Sequence, residues 1–156
     1  MSVARRIEER FIALAQPLMR LHPKIYRATD GRIGRRLPGL PPLLVLEHVG
    51  AKSGIQRSSV VGYVLDGDDV LVVASQGGSP TNPAWFHNLK ANPDVRIQIG
   101  GEVRDVHARV ASASERAQLW PKATAAYPGF QRYQDHTERV IPVVVLERRG
   151  DAPAAA

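Results

Sequence analysis

Val70-Leu71-Val72-Val73-Ala74-Ser75-Gln76-Gly77-Gly78-Ser79-Pro80-Thr81-Asn82-Pro83-Ala84-Trp85-Phe86-His87-Asn88-Leu89 is the stretch that organises the rest of the chain. An apolar β run empties into a glycine-rich turn, and a helix is predicted to start with Asn82 as N-cap and Pro83 at its first position. A strand, a loop and a helix N-terminus thus converge on one spot. Paired Gly77 and Gly78 let backbone N–H groups approach a ligand closely, and a helix start adds partial positive charge. An anionic or heteroaromatic cofactor suits such a corner. Trp85 and Asn88 lie one helical turn apart, so a flat ring and an amide are predicted to face the same cavity. Corners of this kind also occur without a ligand, and the segment alone leaves both readings open.

Outward from this corner the pattern is one of strands. Leu43-Leu44-Val45-Leu46 is a continuous apolar run, and Val60 to Leu65 and Val70 to Ala74 flank the turn signal Asp66-Gly67, as in a hairpin. Val95, Ile97 and Ile99 alternate with polar residues, and Gly100-Gly101 suits a tight reversal into Val103 to Val110. In that return strand Val106, Ala108 and Val110 share a face that excludes Val103, which predicts a bulge or an early register change. Ser112-Ala113-Ser114-Glu115 is a capping-box pattern opening a helix with Ala117, Leu119, Trp120 and Ala123. Val140 to Leu146 reads as a last strand whose Pro142 implies an edge or a bulge. Six strands with interspersed helices and no βαβ repetition predict a mainly β (α+β) domain: a mostly antiparallel barrel with peripheral helices.

With 156 residues the chain fits one domain. It divides into a helical segment over about 3–29, a barrel body over about 40–147 and a loose tail over 148–156. The helical segment carries Ile7, Phe11, Leu14 or Ala15, Leu18 and Leu21 at helical spacing, with a stop or kink at Pro17. No apolar run approaches the roughly 20 residues a bilayer crossing needs, so a cytoplasmic location is expected. An amphipathic start with Arg20, Lys24, Arg27, Arg32, Arg35 and Arg36 nearby could rest peripherally on the anionic inner face of a membrane, or pack on its own domain. A formal charge of +6 and a pI of about 10.2 favour an acidic partner: a phosphorylated cofactor, a lipid surface or nucleic acid. Charge does not choose among them. No cysteine is present, which removes disulfides, thiolate chemistry and Cys-based zinc sites, and five scattered histidines lack ligand spacing, so no metal is expected.

A second candidate segment is Gly50-Ala51-Lys52-Ser53-Gly54-Ile55-Gln56-Arg57, between the first two strands. Lys52, Ser53, Gly54 and Arg57 offer two cations, a hydroxyl and free backbone donors, which suit a phosphate or carboxylate. A solvated turn with two ordinary charges would look the same. It is not a Walker A loop: Ala51 stands where the glycine before the lysine belongs, and Leu46 where the first glycine belongs.

Gly50 to Gly54 with Arg57, Ala74-Ser75-Gln76-Gly77-Gly78, Asn82 to Leu89 with Asn92-Pro93, and Trp120-Pro121 followed by Tyr127 to Gln134 and Ile141 to Val144 form an ordered set. In order and spacing it resembles the deazaflavin-dependent nitroreductase family of actinobacteria, over about residues 25 to 147. The resemblance implies a split β-barrel, of FMN-binding-like fold, that holds coenzyme F420, an 8-hydroxy-5-deazaflavin with a phosphate and an oligoglutamate tail. It implies hydride transfer from the reduced coenzyme to a quinone, a nitroaromatic compound or another electron-poor organic acceptor. On the same basis Lys52, Ser53, Gly54 and Arg57 would meet the phosphate or tail, and Arg32, Arg35 and Arg36 could extend the groove. Ala74, Ser75, Gln76, Gly77, Gly78, Trp85 and Asn88 would border the ring. Many relatives carry a basic residue where this chain has Gln76.

Hydride transfer asks the protein to hold donor against acceptor, while the cofactor supplies the reactivity. The reduced acceptor also needs a proton. Tyr127, Phe130 and Tyr133 recur every third residue, close enough to helical period to share a face over the pocket, and Tyr133 is the candidate catalytic hydrogen-bond donor to substrate. Aromatic packing is the alternative role for all three. Glu47 and His48 depart from the small hydroxyl residues common in relatives, and as neighbours on a strand they point to opposite faces and cannot form a dyad. Two further readings stay open: a non-catalytic deazaflavin binder or FMN-using split barrel, and a nucleic-acid module. The latter is disfavoured because strands 60–65 and 70–74 lack an aromatic stripe interleaved with basic residues. Split barrels commonly pair through their sheets, so a homodimer is expected.

Overall fold

A computed structural model describes residues 19–150 of the chain. The amphipathic pattern before Met19, Pro17 included, and the tail after Gly150 lie outside the described residues. Residues 19–28 are helical (α1). The strands are β1 (Leu43–Val49), β2 (Gln56–Asp66), β3 (Asp69–Val73), β4 (Asp94–Ile99), β5 (Glu102–Val110) and β6 (Val143–Arg148). Between and after them come α2 (Ala84–Ala91), α3 (Ala113–Ala126) and α4 (Gly129–Asp135). The strands close into an antiparallel barrel in the order β1-β2-β3-β6-β5-β4.

Two apolar layers hold this frame. Inside the barrel, Leu44, Leu46, Val72, Ile97, Val106 and Leu146 converge, and α2 plugs one end with Trp85, Phe86 and Leu89. Outside, α3 and α4 cover β3 and β6 by setting Leu119, Ala123 and Phe130 on Leu71, Val73 and Val145. Each such side chain contributes roughly 1.5–3 kcal/mol through burial. Because β3 and β6 are covered on both faces, they read as unbroken apolar runs, whereas β4 alternates buried and exposed residues.

β2 belongs to both halves of the barrel. Residues 56–62 pair with β1, and only Tyr63 to Asp66 pair with β3. The strand leaves one neighbour as it joins the other, which splits the wall between the first half of β2 and the loop that follows β3. On the β1 side, Tyr26 of α1 fastens the corner: its buried hydroxyl donates to the Leu43 carbonyl at 2.9 Å and accepts from the Gly100 amide at 2.9 Å.

Several local expectations are corrected. The β4–β5 register runs unbroken from Asp94↔His107 to Ile99↔Glu102, without a bulge. Val103 simply faces outward, and Val110 reaches the exposed end of its strand. β6 is no edge: it pairs with both β3 and β5, because Pro142 precedes the strand and only its carbonyl is used, accepting from Ala74 N at 3.0 Å. The capping box at α3 is half made. Ser112 Oγ accepts from Glu115 N at 3.2 Å, while the Glu115 carboxylate turns to Arg109.

Candidate functional site

A cavity of about 660 Å³ opens along the split. Its floor is the first half of β2, Ser58 to Gly62. Its walls are the Ser75-Gln76-Gly77 turn with Trp85 on one side, α1 and residues 37–43 on another, and Tyr127, Phe130 and Tyr133 across the top. The lining is apolar and aromatic with hydroxyls and one cation, Arg20, and among the described residues no carboxylate lines it.

The floor explains why the cavity can hold a polar ligand. Tyr63 N donates to Pro42 O at 3.0 Å, and antiparallel pairing alternates, so Ser58, Val60 and Gly62 turn their N–H and C=O groups away from β1. β3 pairs only from Tyr63 onward. At Ser58 and Val60 the floor therefore offers unspent backbone donors and acceptors, which fits a flat heteroaromatic ring edged with N–H and C=O groups, while the Gly62 carbonyl already faces Val73, where pairing with β3 begins.

The turn after β3 has an unusual backbone. Gln76, Gly77 and Gly78 are consecutive at φ of 44°, 63° and 82°. Gly77 is open on its outer side, whereas a Cβ on Gly78 would lie 2.8 Å from the Tyr133 carbonyl. Gly78 is thus required for packing against α4 and does not face the cavity. Arg139 holds the turn in place: its guanidinium donates to the carbonyls of Ala74, Ser75 and Ser79 and to Asn82 Oδ1, at 2.6–3.1 Å. Burial lowers the Arg139 pKa from its ordinary value, and the group remains a cation. Five donors in a rigid fork match converging carbonyls in a way lysine cannot. No sequence pattern pointed to Arg139, because its partners lie 57–65 residues away in the chain.

Of the residues singled out from sequence, Ser75, Gln76, Gly77, Trp85, Tyr127, Phe130 and Tyr133 meet around this cavity. The aromatic trio does so from two elements, since Tyr127 caps the end of α3 while Phe130 and Tyr133 belong to α4. The phenol oxygens of Tyr127 and Tyr133 are 3.4 Å apart. In such a pair one hydroxyl donates to the other, and the accepting one keeps its hydrogen for a ligand. The hydrogen bond to Tyr127, then burial, raises the Tyr133 pKa, so this phenol stays protonated.

Other assignments are corrected by their surroundings. Ala74 is fully buried inside the barrel and does not line the cavity. Asn82 is not the N-cap of α2; Pro83 is, and the Asn82 amide oxygen is taken by Arg139. Asn88 does not share the cavity with Trp85. It is buried, with its amide Nδ2 2.9 Å from His48 Nδ1 and its Oδ1 accepting from Ala51 N at 2.9 Å. Arg35 is structural, donating to the Tyr63 hydroxyl at 3.1 Å, and Arg32 and Arg36 do not line the cavity.

Lys52, Ser53, Gly54 and Arg57 lie beyond the end of the cavity, where β2 emerges from the β1–β2 loop. Arg57 directly precedes Ser58, the last residue of the floor, and the Lys52 and Arg57 side chains are exposed. Ser53 Oγ accepts from Ile55 N at 3.2 Å, so part of its capacity shapes the loop. Glu47 and His48 point to opposite faces as expected. Glu47 pairs with Arg27 at 2.7 Å on the outside, while His48 is 3% exposed inside. Burial first, and the Arg57 charge second, lower the His48 pKa to about 4.

An antiparallel six-stranded barrel split along one strand, with a cavity at the split that no carboxylate lines among the described residues and a basic exit, defines a split-barrel protein. The model of the F420H(2)-dependent quinone reductases matches residues 18–148. An F420H(2)-dependent quinone reductase of Mycobacterium tuberculosis is 47% identical over 135 residues, covering 85% of this chain and 91% of that protein. The solved F420-H2 dependent reductase FDR-A superposes with a TM-score of 0.63 at 40% identity, over 68% of this chain and 94% of its own. A solved domain-swapped dimer matches with a TM-score of 0.66 at 33% identity, over 94% of this chain and all of its own. The chain belongs to the F420H(2)-dependent quinone reductase family.

Proposed function

We propose that this protein is an F420H(2)-dependent reductase that binds the deazaflavin in the split of its barrel and passes hydride to a quinone or a comparable electron-poor acceptor. The observation that carries the reading is the cavity itself: an unpaired β2 edge opposite the Ser75-Gln76-Gly77 turn, with Trp85 and two phenols, leading toward Lys52 and Arg57. The free backbone groups of Ser58 and Val60 suit the ring, and the exposed cations suit a phosphate and glutamate tail.

When bound and reduced, the coenzyme supplies the hydride. The chain's part is to place and shield the reactants. Arg139 fixes the Ser75-Gln76-Gly77 turn, and Trp85 and Phe130 limit water at the site. With Tyr127 as the donor of the phenol pair, the protonated Tyr133 hydroxyl keeps its one hydrogen for an acceptor oxygen and stabilises the negative charge that develops there. One proton from that hydroxyl, or from water it orders, completes the two-electron reduction.

A paired state fits the same reading, supported by the domain-swapped dimer among the solved relatives. Among the described residues no helix is long and apolar enough to cross a membrane. Exposed Met19, Leu37 and Leu40 at the cavity mouth, beside Arg20, support a peripheral contact with anionic lipid at the inner face of the membrane. Light scattering and vesicle co-sedimentation check these two points.

The decisive experiment titrates purified protein with F420, FMN and an oligonucleotide, then follows oxidation of reduced F420 with and without a quinone. Saturable F420 binding and quinone-dependent oxidation are expected. F420 binding with no rate above the acceptor-free control would make the protein a carrier, and preferential FMN binding would make it a flavin-dependent relative.

A further inference from the structure

The buried His48–Asn88 pair does more than fill the barrel. Asn88 Oδ1 is committed to the Ala51 amide at 2.9 Å, so the amide nitrogen of Asn88 must be the atom facing His48 Nδ1, also at 2.9 Å. An amide NH2 only donates, so Nδ1 accepts and the neutral ring carries its hydrogen on Nε2. Nε2 lies 2.9 Å from Ser59 Oγ and donates to it. Ser59 is thereby used as an acceptor, and among the described residues its own hydroxyl hydrogen has no acceptor. Ser59 belongs to the cavity floor. The chain of bonds runs from the backbone of the Lys52 loop through Asn88 and His48 to the cavity.

We propose that Ser59 is a ligand-binding residue whose hydroxyl donates to an acceptor oxygen of the bound coenzyme, and that His48 and Asn88 are positioning residues that fix the direction of this donor. The inference rests on the coenzyme reading above. The acceptor is a ring carbonyl or a phosphate oxygen, both of which can take such a bond. Ser59 accepts from an imidazole N–H, which polarises its hydroxyl and strengthens the onward bond. Replacing Asn88 by Asp reverses the order: a carboxylate only accepts, so the neutral ring moves its hydrogen to Nδ1. Nε2 then accepts from Ser59, and the hydroxyl hydrogen is drawn away from the cavity.

The test measures affinity for oxidised F420 and for its ring riboside lacking phosphate and tail, by fluorescence titration at pH 8.5. Wild type, Ser59→Ala, Ser59→Thr, Asn88→Asp and the Asn88→Asp/Ser59→Ala pair are compared, with nitrogen-15 NMR of the His48 ring as a second readout. Ser59→Ala is expected to weaken binding roughly tenfold, the worth of one directed hydrogen bond. Ser59→Thr, which keeps the hydroxyl, should stay within about threefold of wild type. Loss with both ligands marks a ring oxygen, and loss with F420 alone a phosphate. Asn88→Asp should move the His48 hydrogen from Nε2 to Nδ1 and weaken binding, and adding Ser59→Ala to it should cost little more. Wild-type affinity in Ser59→Ala, losses that multiply in the double variant, or a wild-type ring protonated on Nδ1 would each overturn the inference and leave the coenzyme site standing. Wild-type protein that binds neither ligand would instead overturn the coenzyme reading, and this inference with it.

Discussion

Replacing His48 by Gln removes a titratable ring from the barrel interior while keeping a side chain that can donate toward Ser59. An imidazole in the unfolded chain titrates near 6.5, whereas burial and the neighbouring Arg57 charge hold the folded ring at about 4. Between these values the unfolded chain binds a proton that the native protein does not. Stability therefore falls as the pH drops through this window, by about 1.4 kcal/mol per unit. The loss totals roughly 3 kcal/mol by pH 4, is absent above about pH 6.5, and grows no further once both states are protonated. Urea unfolding of wild type and His48→Gln from pH 7.5 to pH 4 isolates this contribution, because exposed carboxylates such as Glu102, held at about 2 first by Arg104 and then by Arg148, titrate alike in both proteins. The stability difference between the two should shift toward the Gln variant by about 3 kcal/mol on acidification. A difference that stays flat within about 0.5 kcal/mol would show that the folded ring already takes up a proton near its ordinary pKa, and the dry, neutral His48 would be wrong.

Replacing Lys52 and Arg57 together by alanine should weaken F420 binding at least about tenfold and flatten its salt dependence, while folding stability moves by less than about 0.5 kcal/mol because both side chains are exposed. Unchanged affinity in isothermal titration would send the anionic tail elsewhere. Arg139→Ala should cost about 2–3 kcal/mol in urea unfolding and speed amide exchange across residues 74–82, and Arg139→Lys should not restore either, since a point charge cannot serve four acceptors. Gln76→Gly should raise the melting temperature by relieving a left-handed backbone at φ 44°, a gain of about 0.5–1 kcal/mol net of the freer unfolded chain. A lowered melting temperature would mean that the Gln76 side chain contributes a contact worth more than that relief.

The chain by itself determined what is periodic or local. Alternation fixed β4, the glycine-bearing turns fixed the β2–β3 and β4–β5 hairpins, and Ser112 marked the start of α3, because hydropathy period and turn chemistry act within a few residues. The glycine-rich corner after β3 and the tyrosines were also legible as cavity residues, since the ordered spacing of short motifs survives in the sequence. Tertiary structure decided where β2 leaves β1 for β3, because pairing partners far apart in the chain leave no local trace, and that crossing makes the cavity. It also decided that Asn88 looks inward to His48 and Ala51 and not toward Trp85, that Ala74 and Gly78 serve packing, and that Arg139 holds the turn. A hydrogen bond between residues dozens of positions apart exists only once the fold has brought donor and acceptor together, so neither composition nor period could announce it.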